Sequence, residues 1–230
     1  MTMSVIATAP VDELAAAVRG DLILPADPGY DQARAVYNAM IDKHPQAIAR
    51  VRDTADVIAC VRFARARAIP ISVRGGGHHA AGLGVGDDAL VIDLSMLRGT
   101  TVSPDRRTVR ADAGCTWGDV DHATVAFGMA TPSGFLSSTG VAGLTLGGGI
   151  GYLSRRFGLT VDNLLSADVV LADGTFVTAS QDSHPDLFWA LRGGGGNFGV
   201  VTSFTFRCHP IGEHGTIIGG PVFYAEVTAN

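Results

Sequence analysis

Val73–Gly82 reads VRGGGHHAAG: an arginine, three glycines, two histidines and, after two alanines, a further glycine. Glycines in a row clear side chains from a backbone and open the positive-φ region, so that successive N–H groups turn into one concavity. The run is flanked by Ile71–Arg74 (ISVR) and Leu90–Leu94 (LVIDL), whose apolar and β-branched residues predict short strands. The glycine run is therefore a strand-to-strand loop that opens on Arg74. Neighbouring side chains of an extended segment point to opposite faces, so His78 and His79 do not both face one ligand, and one of them is structural.

Working outward, residues 75–86 hold six glycines, 134–158 hold eight and 193–199 hold five, which together make 19 of the 30 in the 230-residue chain. Residues 1–74 hold only Gly20 and Gly29. The total is roughly twice the usual glycine share, yet collagen would need a strict triplet repeat, and disorder is excluded by 47% hydrophobic residues. Three clusters set in apolar flanks point to an anionic, flat or bulky ligand approached by bare backbone. No Gly-Lys pair exists for a phosphate-binding GxxxxGK[ST] loop. Gly82-Leu83-Gly84 begins a GxGxxG pattern, but its sixth position is Asp87 and no helical pattern follows, so a Rossmann nucleotide fold is unsupported. Ser137 and Ser138 lack the GxSxG turn that exposes a catalytic hydroxyl.

Helices are predicted at Val11–Val18, at Thr54–Ala68 with Thr54 as N-cap, at Trp117–Phe127 and at His184–Leu191. Further strands are predicted at Val109–Ala113 and Val200–Arg207, and a hairpin at Asp168–Thr178 turns on Asp173-Gly174. The mixture is α+β without regular βαβ alternation. Cys60, Cys115 and Cys208 are widely spaced and read as buried free thiols. The histidines show no metal-ligand grouping, so no metal site is expected. Seventeen basic and 22 acidic residues leave a charge of −5 and no basic run, which argues against nucleic acid. No apolar run reaches membrane-spanning length, and Met1–Pro10 lacks a signal pattern, so a soluble cytoplasmic protein is expected.

VRGGGHHAAG, TPSGFLSSTGVAGLTLGGGIGYLSRRFGLTVDN and DLFWALRGGGGNFGVVTSFTFR, in that order, resemble the flavin domain of FAD-linked oxidases of the berberine bridge enzyme type, in the vanillyl-alcohol oxidase/PCMH superfamily. The resemblance implies a PCMH-type FAD-binding domain of two α+β subdomains over residues 31–210. Before it would come an N-terminal segment with a helix, 1–30, and after it, at 211–230, the start of a substrate domain that is otherwise missing. By position, His78 is the histidine joined to the 8α-methyl of the isoalloxazine. Arg74, Gly75, Gly76 and Gly77 belong to the loop around the pyrophosphate, where Arg74 adds charge or braces the loop, Gly82 is a further cofactor-binding position, and His79 is expected near the cofactor with no chemistry assigned to it. Gly134, Ser138, Thr139, Gly140, Val141 and Gly143 form a second wall along the cofactor. Gly147, Gly148, Gly149 and Gly151 permit close helix packing, and Asn163 and Val200 resemble further FAD contacts.

Some relatives bond a cysteine to flavin C6, but Leu136 occupies that position, so a single 8α-histidyl bond is expected. The implied activity is FAD-dependent oxidation of an alcohol, sugar, amine or alkaloid, with O2 reoxidising the flavin and releasing hydrogen peroxide. Two other readings stay open: a catalytically silent flavin-binding subunit, and a non-covalent FAD dehydrogenase or reductase. No catalytic base is assigned, because family members place it beyond the flavin domain. Self-association, or a partner chain that supplies the substrate domain, is also expected.

Overall fold

The computed structural model describes residues 11–211. Apart from Ile211, the segment expected to begin a substrate domain lies outside the described residues. The chain starts with α1 (Val11–Ala17), whose Leu14 enters the core, and β1 (Asp21–Ile23), followed by α2 (Tyr30–Arg34) and β2 (Ala47–Arg50). α3 (Thr54–Ala66) buries Val57, Cys60, Val61, Phe63 and Ala64, the one-sided spacing that an amphipathic helix needs. Its N-cap is Asp53 and not Thr54: the Asp53 carboxylate accepts the Asp56 N–H at 3.0 Å, and Thr54 is already helical. Asp53→Ala should lower stability by about 1 kcal/mol, measured by urea unfolding.

β3 (Ile71–Arg74) and β4 (Leu90–Asp93) complete a four-stranded sheet ordered β1-β2-β4-β3. β2 runs parallel to β4, and β3 runs parallel to β4, whereas β1 is antiparallel at the edge. A single βαβ unit, β2-α3-β3, is therefore present within a fold that otherwise lacks that alternation. Parallel neighbours need a long crossover, usually a helix. Between β3 and β4 the crossover is residues 75–89, the glycine–histidine loop itself, with no helix in it.

The second sheet is antiparallel, ordered β5-β6-β10-β8-β9, from β5 (Thr100–Val102), β6 (Thr108–Asp112), β8 (Leu164–Val170), β9 (Phe176–Ser180) and β10 (Val200–Arg207). The Asp173-Gly174 turn closes β8 onto β9, with Gly174 at φ 80°. β10 is the central strand, and seven of its eight residues are at least half buried except for the exposed Arg207 at its end. Packing on both faces explains its weak alternation. α4 (Trp117–Val125) ends two residues before the predicted limit, and α6 (Pro185–Leu191) starts after His184. Met129–Ala130 and His209–Pro210 pair as the short strands β7 and β11. α3 packs on β4 and on β8, so one apolar core runs through both sheets. The result is an α+β arrangement of two sheets that share this core.

All three cysteines are buried and free. Burial pushes the Cys60 and Cys115 thiols up to about 12 and the Cys208 thiol up to about 11, which keeps them protonated and unreactive. Among the described residues, no helix is long and apolar enough to cross a membrane.

Candidate functional site

Three parallel strands end at one place. Arg50 closes β2, Arg74 closes β3 and Asp93 closes β4, and all three line a cavity of about 340 Å³ together with Val36, Tyr37, Gly75, Gly76, Gly77 and Ser95. In open sheets of parallel strands, ligands bind outside the carboxyl ends, where loops diverge and backbone groups lack ladder partners. Loop 75–89 leaves β3 at this edge.

The charges are arranged around Asp93, which is 1% exposed. Arg74 Nη2 donates to Asp93 Oδ2 at 2.8 Å, and Arg50 Nε donates to the same oxygen at 3.4 Å. Burial pushes the Asp93 carboxyl up, but the Arg74 charge, its hydrogen bond and the bonds from Ser95 outweigh it and hold the carboxyl below its ordinary value. Two guanidiniums against one carboxylate leave a positive balance at the cavity. Arg74 is itself buried, and its Nη1 donates to the Ala35 carbonyl at 3.3 Å, so it braces the loop from beneath.

Among the described residues, the N–H groups of Gly75, Gly76, Gly77 and His78 donate to no protein acceptor. Gly77 lies at φ 70°, which turns the chain so that the run curves. Such consecutive unpaired donors form an anion-binding concavity. His78, half-buried, stacks on Tyr37 with ring centroids 4.3 Å apart and planes inclined by 17°. His79 is exposed, and its Nδ1 accepts the Ala81 N–H at 3.2 Å. The two histidines thus have separate surroundings.

The second glycine cluster meets the first. A Cβ on Gly76 would lie 2.5 Å from the Gly140 nitrogen and 2.6 Å from its Cα, so neither backbone tolerates a side chain there. Segment 137–141 is held in place by its pairing with residues 115–118: Gly118 N–H bonds the Ser137 carbonyl, Trp117 N–H that of Thr139, and Val141 N–H that of Cys115. Ser138 is exposed and Thr139 half-buried, and Val141 is buried at the start of α5 (Val141–Leu146). Gly143 is exposed in the middle of α5, with open space where a Cβ would sit. Gly134 packs on Leu144 and Gly149 on Leu144 and Thr160, while Gly151 is pressed on the Ser133 backbone. Gly147 and Gly148 finish the helix. The third cluster joins through the Gly195 N–H, which bonds the Leu146 carbonyl at 3.1 Å. Phe135, Leu136, Ile150 and Tyr152 make an exposed apolar rim around this region, with Phe135 and Tyr152 edge-to-face.

For Gly82, Asn163 and Val200 the structure supplies a reason within the protein. Gly82 is buried where a Cβ would strike Ile41. Asn163 is 2% exposed, and its Nδ2 donates to the Phe157 and Leu159 carbonyls, both at 2.9 Å, while Oδ1 pairs with His209 Nε2 at 2.6 Å. Its side-chain amide is thereby committed to the chain itself. Val200 opens β10 with its side chain in the core.

Sequence reading missed Arg50, Asp93 and Tyr37. An aspartate ending the apolar run LVID was a usable signal, because a carboxylate closing a buried strand needs a cationic partner. Nothing local marked Tyr37 or Arg50.

Comparison with known proteins adds four matches. Residues 45–180 match a family model described as FAD binding domain. An FAD-linked oxidoreductase of Bacillus subtilis, YgaK, is 38% identical over 199 residues, covering 84% of this chain and 44% of its own length. Among solved structures, 6-hydroxy-D-nicotine oxidase from Arthrobacter nicotinovorans is 35% identical with a TM-score of 0.82, covering 84% of this chain and 43% of that one. Glucooligosaccharide oxidase from Acremonium strictum, described with a 6-S-cysteinyl, 8α-N1-histidyl FAD, is 34% identical with a TM-score of 0.80, covering 89% and 42%. This chain therefore spans less than half the length of these relatives.

Proposed function

The chain belongs to the FAD-binding domain family of PCMH-type, berberine bridge enzyme-like FAD-linked oxidoreductases, and from that premise we propose that His78 carries FAD through a single 8α-histidyl bond. The observation that carries this reading is the cradle before His78: four consecutive unpaired N–H groups, two glycine backbones in contact and a positively balanced cavity at three strand ends. These features fit the cofactor. The Gly75–Gly77 donors suit the pyrophosphate, as does the charge of Arg50, whose side chain is only partly buried. Gly143 supports the same reading, since a glycine inside a helix costs about 1 kcal/mol against alanine and nothing packs against this one. Its bare face suits the close approach of a flat ligand.

When bound, flavin supplies two-electron oxidation of a C–H or C–OH bond, with O2 as the final acceptor and hydrogen peroxide as the product. The chain's own residues hold and shield it. Arg74 and Asp93 fix the loop, Gly76 and Gly140 bring the two walls together, and Phe135, Leu136, Ile150 and Tyr152 offer an apolar border that keeps water away. Leu136 provides no second attachment point, and Cys115 is buried and protonated, so one bond is formed and not two. The substrate class proposed is a small alcohol, sugar, amine or alkaloid, and the relatives with named substrates act on nicotine derivatives and oligosaccharides.

The test is acid precipitation of the FAD-loaded protein. Wild type should give a yellow, fluorescent pellet, and His78→Ala a colourless one with free FAD in the supernatant. A colourless wild-type pellet, or a yellow His78→Ala pellet, would overturn the assignment of His78. Peroxide formation with candidate alcohols and sugars, followed by a coupled peroxidase assay, tests the oxidase reading separately.

A further inference from the structure

We propose that Tyr37, held by its neighbour Asn38, is the positioning residue for His78: its ring fixes the plane of the imidazole at the cavity mouth. The inference rests on His78 as the flavin attachment point. Tyr37 is 70% exposed, so burial does not account for an aromatic ring at this position, and the ring it meets is that of His78. The segment that carries it is fastened to the histidine loop at three points. Tyr37 N–H donates to the Gly77 carbonyl at 3.1 Å, Asn38 Nδ2 donates to the Ala80 carbonyl at 2.9 Å, and Arg74 Nη1 reaches the Ala35 carbonyl. The Asn38 side chain is oriented in turn by the Met40 N–H, which bonds its Oδ1 at 3.1 Å. His78 is thus bracketed by tethers at Gly77 and Ala80, and its remaining freedom is rotation of the ring.

A near-parallel stack removes that freedom, because turning the imidazole out of plane breaks the contact. Attachment requires it. A ring nitrogen bonds the 8α-methyl carbon as the methyl loses one hydrogen and the imidazole its N–H proton, and the two electrons released pass to O2, which leaves as hydrogen peroxide. A reacting nitrogen that samples many orientations reaches the methyl carbon in few of them.

Flavin-free full chain is mixed with FAD, and the acid-stable flavin fraction is followed over time in wild type, Tyr37→Phe and Tyr37→Ala. The proton shift of the His78 ring is read by NMR in the same flavin-free proteins. Tyr37→Ala should slow attachment about tenfold and abolish the upfield ring-current shift, whereas Tyr37→Phe should retain both the rate and the shift. Wild-type attachment in Tyr37→Ala would overturn the positioning role while leaving His78 as the attachment point. Loss of rate in Tyr37→Phe would also overturn it, since the hydroxyl and not the stacked ring would then be needed. If wild type binds FAD but never attaches it, the His78 assignment itself fails, and the positioning role fails with it.

Discussion

Asp93→Asn is expected to destabilise the protein by about 3–5 kcal/mol, the largest effect of any single substitution considered. The residue is 1% exposed and joins the two guanidiniums that close β2 and β3. Arg50, a third exposed, recovers hydration when the carboxylate is gone. Arg74, only 9% exposed at its side chain, does not, and is left as a buried charge facing a neutral amide. Urea unfolding checks the magnitude. The pH dependence has a definite sign. The Asp93 carboxyl titrates lower when folded than when unfolded, so its stabilisation is complete above the ordinary aspartate range, near about 4, and is lost as pH falls through its lowered folded value. Asp93→Asn should flatten the wild-type stability profile in that acid window. The double variant Arg74→Met with Asp93→Leu should recover much of the stability, because replacing both members of a buried pair with apolar groups is often neutral. FAD affinity should not recover, since Arg74 also ties the loop to Ala35. A double variant that binds FAD normally would show that the brace is dispensable.

Gly140→Ala is expected to cost about 3 kcal/mol, at the upper end for overpacking, and to weaken FAD binding severely. Its Cβ would collide with the nitrogen and Cα of Gly76, and neither is a side chain that can swing aside. The two glycine walls must separate, which opens the concavity of unpaired N–H groups. Thermal unfolding should show a Tm drop of roughly 6–12 °C for a chain of this size, with titration by flavin fluorescence reporting the lost affinity. Gly143→Ala is the instructive partner. Open space surrounds that position, and alanine is the better helix former, so stability should hold or rise by up to about 1 kcal/mol. FAD affinity should nonetheless fall if the bare helix face meets the cofactor. A Gly143→Ala variant that is more stable and binds FAD as wild type does would remove Gly143 from the cofactor wall.

Much of the site was legible in sequence because its chemistry is concentrated in short strings. VRGGGHHAAG announced a loop of bare backbone before an imidazole, and the structure has that loop as the crossover from β3 to β4. Local turn chemistry was equally legible, as in the Asp173-Gly174 hairpin and the span of β10. Legibility failed where one residue's role depends on a distant one. Asn163 gives its amide to two carbonyls and to His209, a partner that no local pattern indicates. The cap of α3 was misplaced by one residue because Asp53 and Thr54 are both competent caps, and only the backbone conformation distinguishes them.

By itself the sequence determined where the three glycine loops lie, the α+β class and, through its resemblance to a family, which histidine to propose as the flavin's anchor. Periodicity, turn residues and glycine runs act over a few residues and need no tertiary context. The tertiary structure alone decided that Arg74 braces the loop from beneath, that Asp93 gathers Arg50 and Arg74, that Gly76 and Gly140 touch, and that Tyr37 lies over His78. These are contacts between residues far apart in the chain. They exist because three parallel strands end together and the crossover between two of them has no helix, so that one glycine loop is folded back against another.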